Sequence, residues 1–562
     1  MQYKFQFHNP YNFARTPKRE LKHAFAGDYD PAKNEAKEDH SRYWPELYTG
    51  TIPVRLRVRT PLFITDPNSK DPKGKKEDES IHYTYDCLDH IPATALKGML
   101  SSAYEIITNS RYRVFNKKQH EKKLEYRDGF KRQTYKASPW ECLDDSLRPA
   151  EEREKMSPAD RLLGWVPQEG KGESKGKDAW KGKIRISDGI FYSKNPEEKA
   201  VTRFETSVPL SILGAPKPSQ ARFYLGNENG DPQQDGIRKE AAGYVNTKKL
   251  RGRKIYLHHT LWNQQVTEAG VPEYRQLKNK DERTNQNRSI TGWIEAKRDF
   301  YFKIKVENLT AEELGAILTL LNMRNPADNF RLGYGKPLGL GSVALSIATP
   351  DKASFANDPL PIAKGSERGQ YYRDLCDTIP PGLLPLEREQ LIQAYKKAMA
   401  EAYVKPFKDA PALKRSLWKE HPFAEYFKAL DEEQEAMFEC LWREALERGD
   451  SEISPDDPFF KEVLELFAHD YPELPEVLAE YYSKELTGLK EQYQYDFGWR
   501  KLPFIEDLLL SMEGFKEEPV HYPRNSKERG EEGFKWFVAN EKNKRLALPL
   551  VGKHLQSAIK ER

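Results

Sequence analysis

Residues 51–59, Thr-Ile-Pro-Val-Arg-Leu-Arg-Val-Arg, alternate polar and apolar side chains. A period of two predicts a strand with one buried face, and the other face carries Arg55, Arg57 and Arg59. Residues 94–108 change to helical spacing, with Leu96, Met99, Leu100, Ala103, Ile106 and Ile107 on one side. Strand patterns return at 183–192 and at 299–306, the latter with Phe300, Phe302, Ile304 and Val306 in alternation. Residues 310–322 read as a helix, with Thr310 as N-cap and Glu313 completing a capping box. Residues 341–347 close the set as a strand.

The order strand, helix, strand, strand, helix, strand predicts an α+β fold with a ferredoxin-like βαββαβ core, an arrangement RNA-recognition modules also use. The core domain spans 51–349. Residues 1–50, rich in turn formers and without sustained period, read as an irregular N-terminal arm. Two insertions interrupt the core. Residues 112–181 are charged and rich in Gly and Lys, and are expected to be mobile. Residues 203–260 hold two extended segments, 221–225 and 254–258, expected to pair as a projecting β-hairpin thumb. Beyond 349 the chain turns to Pro-rich spacers and amphipathic patterns at 386–403, 424–448, 459–470 and 475–493. Residues 350–562 therefore read as a mainly helical C-terminal region.

Charge sharpens this division. The whole chain carries +4, but residues 425–518 hold 26 acidic and 9 basic side chains, a balance of −17 that leaves +21 elsewhere. A basic body suits phosphate-rich ligands, and an acidic lobe avoids them or docks on a basic protein; an unpartnered solvated helical surface fits the acidity equally well. With 32% charged and 38% hydrophobic residues and no run of about 18 apolar residues, a membrane-spanning helix is excluded. The start Met1-Gln2-Tyr3-Lys4-Phe5 lacks a signal-peptide core. Four scattered cysteines without a CxxC pair argue against a disulfide framework or zinc ribbon. A cytoplasmic protein is the expectation.

Two segments carry candidate chemistry. In 332–343, Leu-Gly-Tyr-Gly-Lys-Pro-Leu-Gly-Leu-Gly-Ser-Val, four glycines (Gly333, Gly335, Gly339 and Gly341) surround Lys336 ahead of a strand. Glycine permits positive φ and close approach of a phosphate to main-chain N–H groups. The order matches neither a Walker A loop nor a dinucleotide fingerprint; a turn needed only for packing would look the same. In 91–100, Ile-Pro-Ala-Thr-Ala-Leu-Lys-Gly-Met-Leu, a turn opens a helix offering free N–H groups, the Thr94 hydroxyl and the Lys97 ammonium beside Gly98. Helix-terminus physics makes this an anion site, or merely an ordinary capped helix.

In this order the two segments resemble the RAMP superfamily of CRISPR-associated proteins, whose members carry an “IPGSSLKG”-like helix start and a C-terminal glycine-rich loop. The strand at 183–188 looks like the family's second strand, and 213–218, 253–259 and 332–343 look closest to large type III members. The resemblance covers roughly 51–349, and departs from the pattern at Ala93-Thr94. It implies the palm-and-thumb backbone subunit of a type III effector complex in antiviral defence, holding CRISPR RNA beside other effector subunits and a complementary target RNA. Non-sequence-specific single-strand binding needs a basic groove, aromatics and main-chain phosphate contacts. Arg55, Arg57, Lys97, Lys336, Arg251, Arg253 and Lys254 are candidate cations; Tyr83, Tyr85, Tyr224 and Tyr334 are candidate stacking groups.

The resemblance also implies an endoribonuclease in which an aspartate after the first strand cuts target RNA, usually with a divalent metal ion such as Mg or Mn. Asp66 lies closest to that position, as catalytic residue and metal ligand, and Asp71 is second; an aspartate before proline is equally a turn initiator. His82, His90, His258 and His259 permit a metal-free acid–base scheme. Two further readings stay open: a stand-alone precursor CRISPR RNA-processing endoribonuclease, and a non-catalytic structural adaptor.

Overall fold

The computed structural model describes residues 10–19, 23–30, 40, 43–69, 84–128, 130–167, 179–211, 213, 221–227, 243–259, 288–321, 329–348, 363–364, 385–403, 499–500 and 502–512. Strands β1 (Tyr11–Ala14), β2 (Tyr48–Val58) and β3 (Thr84–Tyr85) precede helix α1 (Ala93–Ile107) and the short α2 (Lys117–His120). Then come β4 (Glu125–Asp128), β5 (Lys131–Thr134), α3 (Pro158–Leu163), β6 (Ile184–Ile186), β7 (Ile190–Phe191), β8 (Val201–Pro209), β9 (Leu225–Gly226), β10 (Lys249–Leu250), β11 (Arg253–Tyr256), β12 (Ser289–Ile294) and β13 (Asp299–Leu309). Helix α4 (Ala311–Leu321), β14 (Phe330–Arg331), β15 (Ser342–Ile347), β16 (Ala363–Lys364), α5 (Pro385–Tyr403) and α6 (Pro503–Met512) follow.

The fold is mixed α+β around an antiparallel sheet ordered β14–β15–β2–β13–β6, with β7 also on β13 and β16 on β2. The alternation in β2 does what period two requires: Ile52, Val54, Leu56 and Val58 are buried, while Arg55 and Arg57 face outward. Phe300, Phe302, Ile304 and Val306 of β13 and Val343 and Leu345 of β15 extend the same apolar layer. Helix α1 closes over it with Leu96, Met99, Leu100, Ala103 and Ile107, against Leu314, Ile317, Leu318 and Leu321 of α4. The capping box of α4 forms as the sequence predicts: Thr310 N–H donates to Glu313 Oε2 (3.1 Å) and Glu313 N–H to Thr310 Oγ1 (3.2 Å).

Four expectations are corrected. The strand at 183–192 is two short strands: Ser187 N–H still donates to Lys303 O of β13 (3.0 Å), but Gly189 turns to exchange hydrogen bonds with Ile91 before β7 rejoins β13. The N-terminal arm is not wholly irregular: β1 pairs with β11, and Arg15 donates to both Asp507 (2.8 Å) and Glu506 (2.8 Å) of α6. The described part of 112–181 is folded, and the Gly- and Lys-rich stretch 168–178 lies outside the described residues. In the described part Ser157 caps α3 and donates its N–H to Asp160 Oδ2 (2.9 Å), Trp165 is buried and donates its indole N–H to Ala150 O (2.9 Å), and Trp140 is buried too. The segments 221–225 and 254–258 do not pair with each other. Leu225–Gly226 pairs with β10 and Arg253–Tyr256 with β1, so they build the body and no hairpin between them.

The chain divides into two compact units, Met1–Tyr395 with Pro503–Lys544, and Lys396–Leu502 with Arg545–Arg562. The sequence-based boundary at 349 falls inside the first. Of the C-terminal helical patterns, 386–403 coincides with α5, and 424–448, 459–470 and 475–493 lie outside the described residues. Gly315 of α4 lets α5 approach closely, since a Cβ there would stand 1.9 Å from Leu391 O. No helix among the described residues is long and apolar enough to cross a membrane.

Candidate nucleic-acid interface

The glycine-rich loop is a rigid double turn. Gly333, Gly335, Gly339 and Gly341 all hold left-handed φ, from 73° to 88°, and Lys336–Leu338 makes one 3-10 turn between them. Gly341 has no alternative, because a Cβ would meet Leu332 O at 1.9 Å. Most loop amides donate into the protein: Tyr334 to Phe63 O (2.9 Å), Gly341 to Pro61 O (2.8 Å) and Ser342 to Thr60 Oγ1 (2.9 Å). Those of Gly333, Gly335 and Lys336 meet no acceptor among the described residues. The anion-binding capacity of the loop is therefore confined to this first turn. The Lys336 ammonium is half-buried, and burial lowers its pKa, with Arg331 adding to the shift. Arg331 itself points inward, donating to Leu340 O (2.9 Å) and to Leu257 O.

Helix α1 starts without a side-chain cap at Pro92; its first N–H, from Ala93, donates to Asp188 Oδ1 (2.7 Å). A carboxylate thus already sits at the positive end of the helix, where the sequence suggests a phosphate. Lys97 turns toward α3, donating to Leu163 O (3.4 Å), and burial lowers its pKa, with Arg113 contributing. Thr94 and Gly98 are exposed, and the space beside Gly98 is open: nothing lies within 4 Å of a Cβ built there. Main-chain rungs link this helix start to the glycine loop. Tyr334 bonds Phe63, Leu88 N–H donates to Ile64 O (2.9 Å), and Ile91 exchanges hydrogen bonds with Gly189.

Arg55 and Arg57 lie on the outward face, opposite Tyr301 and Asp299 of β13. Asp299 is their shared counter-ion, 2.7 Å from Arg55 and 3.9 Å from Arg57. The hydrogen bond to Asp299 raises the Arg55 pKa against the opposing effect of burial. Lys303, Lys305 and Arg185 continue the basic row across β13 and β6.

In the cluster at 251–254, Arg251 and Arg253 face the interior, and Lys254 is half-buried. Arg251 is 1% exposed, donates to Asn12 Oδ1 (3.2 Å) and stacks over Phe13 (5.2 Å). Arg253 lies over Tyr112 (4.2 Å), near Glu105 (3.7 Å), and donates to Ser110 O. Lys254 stands 4.1 Å from the Tyr11 ring and 4.9 Å from that of Tyr256. These cations hold β11 against β1. Tyr224 likewise stacks on Tyr11 (6.3 Å), Tyr334 packs edge-on against Phe63 (6.3 Å), Tyr85 is half-buried in β3, and Tyr83 lies outside the described residues.

Asp66 is half-buried on the loop after β2. Its N–H donates to Asp86 O (2.9 Å) and its Oδ1 accepts from Asn68 N–H (2.8 Å), the Asx turn its sequence suggests. Asp71 lies outside the described residues. The Asp86 carboxylate is held by the Thr291 hydroxyl (2.6 Å) and Arg203 (3.5 Å). Among the described residues no three His, Cys, Asp or Glu side chains converge to hold a metal. A lone carboxylate suits Mg²⁺ only when water and substrate phosphate complete the shell. Of the histidines, His90 pairs with Asp89 on the surface and His258 is buried against Ser342 Oγ (2.8 Å); His82 lies outside the described residues.

One feature of the surface escaped the sequence reading. Strands β4 and β5 pair as a short antiparallel hairpin whose base is fixed by stacked Tyr126 and Tyr135 (4.5 Å). Phe130, between the strands, is wholly exposed (108%), flanked in sequence by Lys123, Arg127, Lys131, Arg132 and Lys136. The dipeptide Asp128-Gly129 is a hairpin signal that the surrounding charge masks.

The family model for the RAMP superfamily matches residues 55–344. No curated protein matches the chain. A chain in a solved structure described as a type IV-B CRISPR complex is 11% identical, covering 58% of this chain and 100% of that one with a TM-score of 0.22.

Proposed function

Because the chain belongs to the RAMP superfamily, matched over more than half its length, we propose that it is a CRISPR RNA-binding backbone subunit of a type III effector complex. The observation that carries the reading is the continuous main-chain linkage between the first turn of the glycine loop and the start of α1. Tyr334 is one rung from Phe63, Ile64 one rung from Leu88, and Leu88 three residues from Ile91. The amides of Gly333, Gly335 and Lys336, the Thr94 hydroxyl and the open surface at Gly98 then serve one sugar–phosphate strand.

The ferredoxin-like reading of the core is supported by the order β15–β2–β13–β6 with all neighbours antiparallel and helices after its first and third strands in sequence. The thumb is assigned to the β4–β5 hairpin, since an exposed phenylalanine followed at once by Lys131 and Arg132 of β5 is suited to wedging between bases. Partners of the same proposal are the other effector subunits and the complementary target RNA, in the cytoplasm.

Target cleavage is assigned to Asp66, with Asp71 as the second candidate. The cation, Mg or Mn, would be held by Asp66 and RNA phosphate oxygens, and supplies charge stabilisation at the phosphate being cut. The Asx turn fixes the Asp66 carboxylate on its loop and leaves Oδ2 for the RNA.

Gly98→Glu tests the RNA-binding reading. A helix tolerates Glu better than Gly and the position is open, so the fold is kept while a negative charge enters the strand's path. Retained guide RNA is expected to fall about tenfold or more, equivalent to at least ~1.4 kcal/mol. Unchanged retention would contradict the proposal.

A further inference from the structure

On the outward face of the central sheet, beyond the end of β7, lies a cavity of about 460 Å³. This is the size of sites that take a single small molecule, roughly 300–1,000 Å³. Tyr192 and Tyr301 meet edge to face in its wall (5.8 Å, 89°), and Tyr301 is packed against Ala348. Four cationic and two acidic side chains line the cavity, a surplus of two positive charges. The pairing identifies the surplus. Arg55 is bound to Asp299 and Arg298 to Glu198, whereas Lys194 and Lys297 are exposed and have no ion pair among the described residues.

The main chain of Lys297 is held at the cavity's edge. It holds φ of +70°, unusual for a residue with a side chain, because its N–H donates to Val58 O (2.7 Å) where the turn enters β13. The cavity thus combines an aromatic wall with two uncommitted ammonium groups. A purely apolar ligand would not need the lysines, and an inorganic anion would not need the tyrosine. An aromatic base joined to a phosphate uses both.

The geometry points to a nucleotide subsite in this cavity, with the base against Tyr192 and the phosphate taken by Lys194 and Lys297. The inference rests on the RNA-binding reading but concerns a place distinct from the glycine loop and the start of α1. The nucleotide is either one residue of a bound strand or a free nucleotide, and the chemistry is the same.

The test uses the full chain, a fluorescein-labelled polyuridine strand read by anisotropy across a salt series, and AMP as competitor. K194E/K297E is expected to weaken strand binding about tenfold or more and to flatten the salt dependence by about 0.7 per lost phosphate contact. Tyr192→Ala is expected to weaken binding with the salt slope unchanged, and Tyr192→Phe to restore it. Both lysines are exposed, so the double variant decides the matter even if Tyr192→Ala fails to fold. AMP displacing the strand from wild type but not from the lysine variant identifies a free nucleotide as a ligand; strand binding lost without AMP competition identifies a strand residue. Wild-type affinity and slope in K194E/K297E would overturn the subsite and leave the RNA-binding reading standing. Failure of the wild-type chain to bind either probe would overturn both.

Discussion

Lys183 and Glu313, 130 residues apart, meet in the interior: the Lys183 ammonium lies 3.2 and 3.1 Å from the two carboxylate oxygens, with the side chains 0% and 3% exposed. Glu313 simultaneously accepts the Thr310 N–H at the start of α4. One carboxylate thus closes the helix cap and neutralises the lysine that leads into β6. Removing one partner strands a buried charge. Glu313→Gln is expected to lower stability by about 3–5 kcal/mol, read in thermal or denaturant unfolding, while Lys183→Met with Glu313→Leu costs much less. Equal losses in both would mean that the pair acts through packing alone.

Acid sensitivity is expected at His258. Burial, then Arg331 and His259, push its pKa well below the ordinary imidazole value, so the folded protein holds it neutral with Nδ1 facing Ser342 Oγ. The unfolded chain protonates this ring below about pH 6.5, which means that it binds more protons than the native state there. Stability is therefore complete above about pH 6.5 and falls as pH drops, by up to about 1.4 kcal/mol per unit for this one group. His120, also lowered by burial, steepens the total. His258→Asn should flatten the profile between pH 7 and 5 relative to wild type; an unaltered slope would remove His258 from the account.

Two glycines in the candidate site should respond oppositely to alanine. At Gly341 the added Cβ meets Leu332 O at 1.9 Å with φ at +78°, so Gly341→Ala is expected to cost about 2–3 kcal/mol. At Gly98, inside α1 with open space around it, Gly98→Ala is expected to stabilise by up to about 1 kcal/mol. Thermal midpoints moving in the same direction would refute the geometry of one of them.

For catalysis, Asp66→Ala is expected to leave assembly and guide RNA unchanged and to stop cutting of complementary RNA at the position this subunit faces. Undiminished cleavage there would remove Asp66 from the site, and the same assay on Asp71→Ala then decides the second candidate.

Local pattern made much of the core legible. The alternation of β2 and β13, the spacing of α1 and the Thr310/Glu313 capping box all depend on neighbours in sequence, and the structure agrees with them. What depended on distant partners was hidden. The arm at Tyr11–Ala14 is a strand because β11 lies beside it, and the described part of the 112–181 insertion folds with Trp140 and Trp165 in core positions despite the charge around them. The candidate site divides the same way. Glycines at 333, 335, 339 and 341 announce their positive φ, but no sequence rule tells that Asp188 occupies the start of α1 or that Arg251 and Arg253 turn inward. Charge alone does not distinguish a cation that meets solvent from one stacked on Phe13 or Tyr112.

The central claim is that this chain holds a guide strand, and the direct measurement is the nucleic acid content of the particle purified with the full chain under native conditions. RNA of defined length, released by phenol and protected from nuclease while bound, is the predicted result. A particle that is intact, contains this subunit and yields no oligonucleotide would contradict it.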